Sequence, residues 1–270
     1  MALDLVARDG LVLFGCGKMG TALLAGWLAA GVPAASVWVI EPNPTDWLAR
    51  TGVQLNAGLP PAPAVALLAV KPQMMAAALP ALRALGDGGT LVISIAAGTT
   101  LATFEAALGP RTPIVRSMPN TPAMVGRGIT ALFGNAAATP GDLALARALM
   151  AAVGEVVTLD GEHQIDAVTA VSGSGPAYVF HLIEALAAAG EAEGLPAGIA
   201  MQLARATVSG AGELAHRSPD SAARLRIDVT SPGGTTAAAL AVLMDADTGL
   251  PPLLRRAVKA AADRGRELGR

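Results

Sequence analysis

The chain has 270 residues, of which 53% are hydrophobic, 31 are glycine and only 15% are charged. This composition excludes an intrinsically disordered chain, which needs low hydrophobicity and high net charge. The formal net charge of −2, with no basic stripe, argues against a nucleic-acid-binding protein. The single cysteine, Cys16, excludes a disulfide framework and fits a cytoplasmic protein.

Short apolar runs alternate with helix-like stretches in the first part of the chain, which predicts a parallel α/β sheet. The predicted strands are residues 11–14, 36–40, 65–70 and 91–95, one that includes 114–115, and two more at 129–133 and 156–159. The predicted helices between them include residues 20–30, 72–85 and 101–108.

Beyond Gly161 the sequence contains no convincing strand pattern. Helices are predicted over residues 178–193, 197–215, 236–244 and 253–268. We therefore expect an α/β domain over residues 1–161 and an all-α domain over residues 162–270. The stretch 167–183 is apolar nearly all round, which predicts one long helix buried on every side. Because a small helical domain can hardly bury such a helix alone, we expect an interlocked dimer.

A membrane span must be considered for residues 19–40, which carry no charge and could cross a hydrocarbon core of roughly 30 Å. Gly31, Pro33 and Ser36 break this run into a helix-length and a strand-length piece, so we expect no span. The first nine residues contain acids and no apolar core, so we also expect no secretory signal.

The segment Gly15-Cys16-Gly17-Lys18-Met19-Gly20 has the pattern GxGxxG directly after a predicted strand and at the start of a predicted helix. In a dinucleotide-binding fold the first glycine allows the tight turn, the second lets the backbone approach a pyrophosphate, and the third lets the helix pack on the sheet. The helix N-terminus adds N–H donors and a positive dipole end. All six residues are therefore candidate cofactor contacts.

Glu41 follows the second predicted strand, where a carboxylate can bond the adenosine ribose hydroxyls of NAD. A carboxylate there would repel the 2′-phosphate of NADP, so Glu41 favours NADH over NADPH. The alternative is an exposed acid before Pro42. Cys16 is most simply a small side chain that fills the turn.

Four further motifs identify a resemblance: residues 69–72 (AVKP), 116–122 (RSMPNTP), 172–178 (SGSGPAY) and 230–236 (TSPGGTT). Together with residues 15–20 they resemble the pyrroline-5-carboxylate reductase family, in order, over nearly the whole chain. The resemblance implies a Rossmann-type domain followed by a helical dimerisation domain, often assembled as a ring of dimers. It also implies reduction of a cyclic imine carboxylate to L-proline by NADPH or NADH.

The resemblance also implies where the cofactor and the substrate bind. The cofactor candidates that it adds follow strands at their carboxyl ends, and they are Ala69, Val70, Lys71, Pro72, Ile95, Ala96, Ala97 and Asn120. Glu162 matches a family position near the substrate; the alternative is an exposed acid in a turn.

The TSPGGTT loop suits the substrate carboxylate, because a glycine-rich turn before a helix presents backbone N–H groups to an anion. The candidate substrate contacts in it are Ser231, Gly233, Gly234, Thr235 and Thr236. In the family's motif Thr236 contacts the ring nitrogen, so it is the candidate catalytic residue. The alternative is a threonine that caps the helix.

Two other functions remain open from the residues. A β-hydroxyacid dehydrogenase would need a lysine base in the helical domain, where the one lysine, Lys259, is far from any glycine-rich loop. A binding protein without catalysis would have no need for an intact TSPGGTT loop. We expect no metal site, and His163 is interpreted as a surface residue.

Overall fold

The computed structural model describes residues 2–269, without the side chains of Ala2 and Pro72. The chain divides into two compact units. One comprises the chain up to Gly173 together with the segment from Ala261 onward, and the other comprises Ser174–Ala260. The first compact unit extends past Gly161 to Gly173. The domain boundary near Gly161 therefore stays a prediction.

Within residues 2–269 the first unit contains one eight-stranded sheet with the order β3-β2-β1-β4-β5-β6-β7-β8. The strands are β1 Leu11–Phe14, β2 Val37–Ile40, β3 Gln54–Leu55, β4 Val65–Leu68, β5 Leu91–Ser94, β6 Ile114–Met118, β7 Gly128–Gly134 and β8 Gly154–Thr158. Neighbouring strands are parallel except β6 and β7, which pair antiparallel. The predicted α/β sheet is confirmed as a mostly parallel one.

Helices cover both faces of this sheet. They are α1 Ala2–Asp9, α2 Lys18–Ala29, α3 Asp46–Ala49, α4 Met75–Leu82, α5 Leu101–Leu108, α6 Pro140–Ala151 and α7 Ile165–Val168. Alternate residues of β1 enter different cores: Leu11 and Leu13 pack in one hydrophobic cluster, and Val12 and Phe14 in the other. Burial on both faces is why the parallel strands appear as continuous apolar runs.

The uncharged run 19–40 is divided as expected, because α2 ends at Ala29 and β2 begins at Val37. No helix in the described part of the chain is long and apolar enough to cross a membrane.

The second unit is helical over its described residues. Its helices are α8 Gly175–Ala192, α9 Ala197–Arg217, α10 Ala222–Asp228, α11 Thr235–Leu243 and the first part of α12 Leu250–Leu268. The expectation of one long helix over 167–183 is wrong. A π-helical turn at Thr169–Gly173 separates α7 from α8. At this turn the Thr169 and Ser172 hydroxyls donate to carbonyls four residues earlier, and such bonds destabilise and bend helices.

The helical unit leaves large apolar side chains uncovered. Among its described residues the buried hydrophobic side chains are Ala187, Ala200 and Ala204. By contrast, Phe180 is 61% exposed and Leu203 is 51% exposed. Soluble monomers rarely expose large contiguous apolar surfaces, so this surface is typical of one that pairs with another chain.

Candidate functional site

The glycine-rich loop between β1 and α2 is shaped by steric limits at two positions. Gly15 has φ +86°, and a Cβ there would lie 2.9 Å from the carbonyl oxygen of Ala69. A Cβ at Gly20 would lie 2.5 Å from the carbonyl oxygen of Gly15. At Gly17, by contrast, a Cβ would meet nothing within 4 Å. The loop is therefore tight on its sheet side and open at Gly17.

The open position coincides with the N-terminus of α2. Gly17 is the N-cap of this helix and offers no side chain to its first N–H groups. Those groups and the positive end of the helix dipole suit a phosphate. Cys16 is buried, and burial raises the pKa of its thiol. The Cys16 Sγ lies 3.6 Å from the Thr21 hydroxyl oxygen, within hydrogen-bonding distance. This contact is consistent with a side chain that fills the turn.

Glu41 lies directly against this loop. Its Oε2 accepts a 2.8 Å hydrogen bond from the backbone N–H of Cys16, and its Oε1 accepts one of 3.0 Å from Asn43. Asn56 bonds both the N–H and the carbonyl of Glu41, at 3.0 and 2.9 Å. An ionised carboxylate has about four acceptor positions, so two used positions leave capacity for further donors.

The other predicted cofactor residues follow the neighbouring parallel strands β4 and β5 at the same sheet edge. Ala69 and Val70 are half-buried and Lys71 is exposed, while the side chain of Pro72 lies outside the described part of the structure. Ile95 donates its N–H to Leu68 at 3.1 Å. The strand order reverses between β1 and β4, which is the place where such sheets bind ligands.

These residues fit a dinucleotide. The carboxyl edge presents a loop that is open where a pyrophosphate would approach and a helix N-terminus without a side-chain cap. An acceptor-rich carboxylate stands beside them. Residues 15–20 would hold the phosphates, Glu41 would accept from the ribose hydroxyls, and residues 69–71 and 95–97 lie along the same edge.

Asn120 and Glu162 have partners within the protein. Asn120, two residues after the end of β6, is buried. Its Nδ2 donates to the Ser172 carbonyl at 3.1 Å, and its Oδ1 accepts from the Ile129 N–H at 2.9 Å. Glu162 pairs with Arg116 of β6 at 2.8 Å. These contacts explain why the first unit continues to Gly173. Their roles as cofactor and substrate contacts stay predictions.

No role was predicted for Arg116 from the sequence. The signal that could have found it is a charged residue inside an otherwise apolar strand, Ile-Val-Arg-Ser-Met, because a buried charge requires a partner. His163 is exposed, which fits its interpretation as a surface residue.

The predicted substrate loop lies in the helical unit, whereas the cofactor candidates lie in the first unit. Gly233 has φ +69°, and the N–H of Gly234 donates to the Ser231 carbonyl at 3.0 Å. Gly234 is the N-cap of α11, so Thr236 is the second residue of the helix and not its cap. Thr236 is half-buried and Thr235 is exposed. The capping alternative for Thr236 thus receives no support.

No group of three or more His, Cys, Asp or Glu side chains in residues 2–269 is placed to hold a metal ion.

Comparison with known proteins covers almost the whole chain. Residues 162–268 match the family described as pyrroline-5-carboxylate reductase dimerisation, and residues 11–98 match the family described as NADP oxidoreductase, coenzyme F420-dependent. The chain is 41% identical to the pyrroline-5-carboxylate reductase of Pseudomonas aeruginosa over 264 residues, which covers 96% of each chain. It is 43% identical to that of Synechocystis, covering 96% of this chain and 98% of the relative.

Solved structures show the same relationship. A pyrroline-5-carboxylate reductase from Coxiella burnetii superposes with a TM-score of 0.91 at 36% identity, over 97% of this chain and 99% of that one. The Plasmodium falciparum pyrroline carboxylate reductase, whose structure has NADP bound, gives a TM-score of 0.82 at 28% identity, with the same coverage. The chain therefore belongs to the pyrroline-5-carboxylate reductase family.

Proposed function

We propose that this family member reduces 1-pyrroline-5-carboxylate with NADH at least as well as with NADPH, and that the TSPGGTT loop holds the substrate. The reaction itself follows from family membership: pyrroline-5-carboxylate is reduced to L-proline, in proline biosynthesis. The observation that carries the cofactor proposal is the Glu41 carboxylate, hydrogen-bonded to the N–H of Cys16 in the glycine-rich loop.

When bound, the nicotinamide supplies the hydride that reduces the imine carbon. The chain supplies binding and electrostatics. Glu41 is fixed through its backbone and its carboxylate, so it cannot easily turn away from a group beside the loop. A 2′-phosphate next to a fixed carboxylate is repelled, whereas ribose hydroxyls can donate to it. The Plasmodium relative has NADP bound, so both cofactors must be compared, and we expect Glu41 to decide the preference.

The substrate is an anion that carries a cyclic imine, and the TSPGGTT loop suits both parts. The N–H groups at the start of α11 follow Gly234, which has no side chain to compete for them. They and the helix dipole favour a carboxylate. The Thr236 hydroxyl, on the second residue of the helix, can then donate to the ring nitrogen of the neutral imine, or accept a hydrogen bond from its N–H when the imine is protonated. A protonated imine is already electrophilic, so hydride transfer requires no strong acid.

We propose that two chains form a dimer through their helical units and that several dimers assemble into a ring. Two observations support the dimer: the match of residues 162–268 to the dimerisation family, and the exposed apolar side chains such as Phe180 and Leu203. The single cysteine, buried as a thiol, supports a cytoplasmic location.

The test follows the loss of NADH and NADPH absorbance with pyrroline-5-carboxylate and with no substrate, and the appearance of NADH and NADPH from NAD+ and NADP+ with a β-hydroxyacid. We expect oxidation with pyrroline-5-carboxylate only, and a specificity constant for NADH no lower than that for NADPH. Turnover of the hydroxyacid in place of the cyclic imine would contradict the substrate, and a strong preference for NADPH would contradict the cofactor.

Thr236→Val tests the substrate loop, because valine keeps the branched shape and removes the hydroxyl. Loss of a hydrogen bond to a charged nitrogen costs about 1.5–3 kcal/mol, or roughly 10–150-fold in kcat/KM. Thr236→Ser keeps the hydroxyl and is expected to retain most activity. Near-normal kcat/KM in the valine variant would remove Thr236 from the site.

A further inference from the structure

One carboxylate oxygen joins three separate segments of the first unit. Arg116 Nη1 lies 2.8 Å from Glu162 Oε1, and the Arg116 side chain is only 7% exposed. The same Oε1 accepts a 2.7 Å hydrogen bond from the backbone N–H of Leu101, the first residue of α5. Glu162 thus balances a buried charge on β6 and satisfies an N–H group at the start of a helix, where a negative charge is favoured.

The N-terminus of α5 is also the end of the loop formed by residues 95–100, which connects β5 to α5. At the start of this loop, Ile95 donates to the Leu68 carbonyl at 3.1 Å and Ala96 donates to the Ser94 hydroxyl at 3.2 Å. In its middle, Gly98 lies against the end of α12, where a Cβ would be 3.1 Å from the Leu268 carbonyl oxygen. Glu162 holds the remaining end, so the loop is fixed along its length.

We infer that Glu162 is a positioning residue for hydride transfer: paired with Arg116, it holds the start of α5 and so keeps the 95–100 loop in place beside the nicotinamide. The inference rests on the proposed function, which puts Ile95, Ala96 and Ala97 next to that ring. It differs from the role of substrate contact that the family resemblance implies. Support comes from the two protein donors that Oε1 already accepts.

The two roles predict different kinetics. If a loop that positions the reacting ring is displaced by even about 1 Å, the loss in rate can reach about 100-fold, and it falls on the chemical step. Loss of a direct substrate contact instead weakens binding, and KM for the substrate rises. The ratio of the effects on kcat and on KM for pyrroline-5-carboxylate therefore separates them.

The principal variant is E162Q, which keeps the shape and an acceptor oxygen but removes the charge. Both variants remove the counter-charge of Arg116, but E162Q keeps an acceptor oxygen for its guanidinium. E162A leaves Arg116 without that partner and is expected to lower the folded yield, so E162Q is the variant that tests the inference. The matched control is D87N. The Asp87 carboxylate likewise accepts a backbone N–H, that of Arg111 at 3.0 Å, and pairs with the Arg111 guanidinium at 3.7 Å. It does so beyond the other end of α5.

Two measurements are made on the full-length chain. The first is steady-state kinetics with pyrroline-5-carboxylate, where E162Q is expected to lower kcat about 10-fold and to change KM for this substrate less than about twofold. The second is hydrogen exchange of the cofactor-free chain, where amides of residues 95–103 are expected to exchange faster in E162Q. D87N is expected to leave both the kinetics and these amides unchanged.

Three results would overturn the inference: unchanged kcat and exchange in E162Q, a rise in KM for pyrroline-5-carboxylate with kcat preserved, or the same fall in kcat for D87N. The proposed function fails separately, if the wild-type chain does not reduce pyrroline-5-carboxylate. The exchange measurement involves neither cofactor nor substrate, so it reports on positioning of the loop alone.

Discussion

Alanine substitutions at two glycines of the loop between β1 and α2 are expected to have opposite effects. At Gly20 a Cβ would lie 2.5 Å from the Gly15 carbonyl oxygen and 3.3 Å from its carbon, closer than the folded loop allows. The loop or α2 must shift, and overpacking of this kind costs about 1–3 kcal/mol. For a chain of this size, 2 kcal/mol corresponds to roughly 4–8 °C in Tm.

At Gly17 the backbone lies at φ −68°, ψ −162°, which an L-residue accepts, and a Cβ meets nothing within 4 Å. Gly17→Ala is therefore expected to change the stability of the cofactor-free chain by less than about 1 kcal/mol. Loss of a glycine at the N-cap destabilises the helix, whereas the lower entropy of the unfolded chain stabilises the folded state. The new methyl group instead occupies the open face where a pyrophosphate must approach, so the Kd for the dinucleotide should rise at least about 10-fold.

Thermal unfolding with and without dinucleotide measures both effects. At about 100 times the wild-type Kd, the ligand stabilises the wild-type chain by about 2.7 kcal/mol. A variant that binds about 10-fold more weakly gains only about 1.4 kcal/mol at the same concentration. Wild-type ligand stabilisation of Gly17→Ala would refute the placement of the phosphates at this loop. An unchanged Tm of cofactor-free Gly20→Ala would refute the steric argument.

Three further predictions concern the cofactor, the assembly and the thiol. Glu41→Ser should raise kcat/KM for NADPH relative to NADH, because it removes a fixed carboxylate; an unchanged ratio would show that Glu41 does not decide the preference. Light scattering should show no folded monomer at micromolar concentration, because the helical unit exposes side chains such as Phe180; a folded monomer there would contradict the dimer. Burial raises the pKa of Cys16 in the folded chain. In the unfolded chain the thiol has a pKa of about 8.5, so the unfolded state loses its proton first as pH rises. The wild type should therefore lose stability relative to Cys16→Ala above that pH. A stability difference that stays constant from about pH 7 to 10 would contradict this.

Local patterns in the sequence were enough to predict most elements of the sheet. Strands β1, β4 and β5 are buried on both faces, which gives the short continuous apolar runs seen in the sequence. The glycine-rich loop could also be predicted from its GxGxxG spacing, and the steric demand at Gly20 is local because it comes from Gly15. The demand at Gly15 comes instead from Ala69, which follows the neighbouring strand β4 and is distant in sequence. Strand β3, with two residues, is too short to show a period, and α3, with four, shows no helical pattern.

Contacts between distant segments were decided only by the tertiary structure. The antiparallel direction of β7 depends on how the chain returns beside β6, and apolar runs carry no sign of direction. The predicted helix over 167–183 is interrupted by a π-helical turn, where Asn120, 52 residues away in sequence, donates to the Ser172 carbonyl. The partners of Glu162 lie 46 and 61 residues away in sequence. The charge of Arg116 shows in the sequence that a partner is needed, but only the packing of β6 against residues 162–173 determines which carboxylate supplies it.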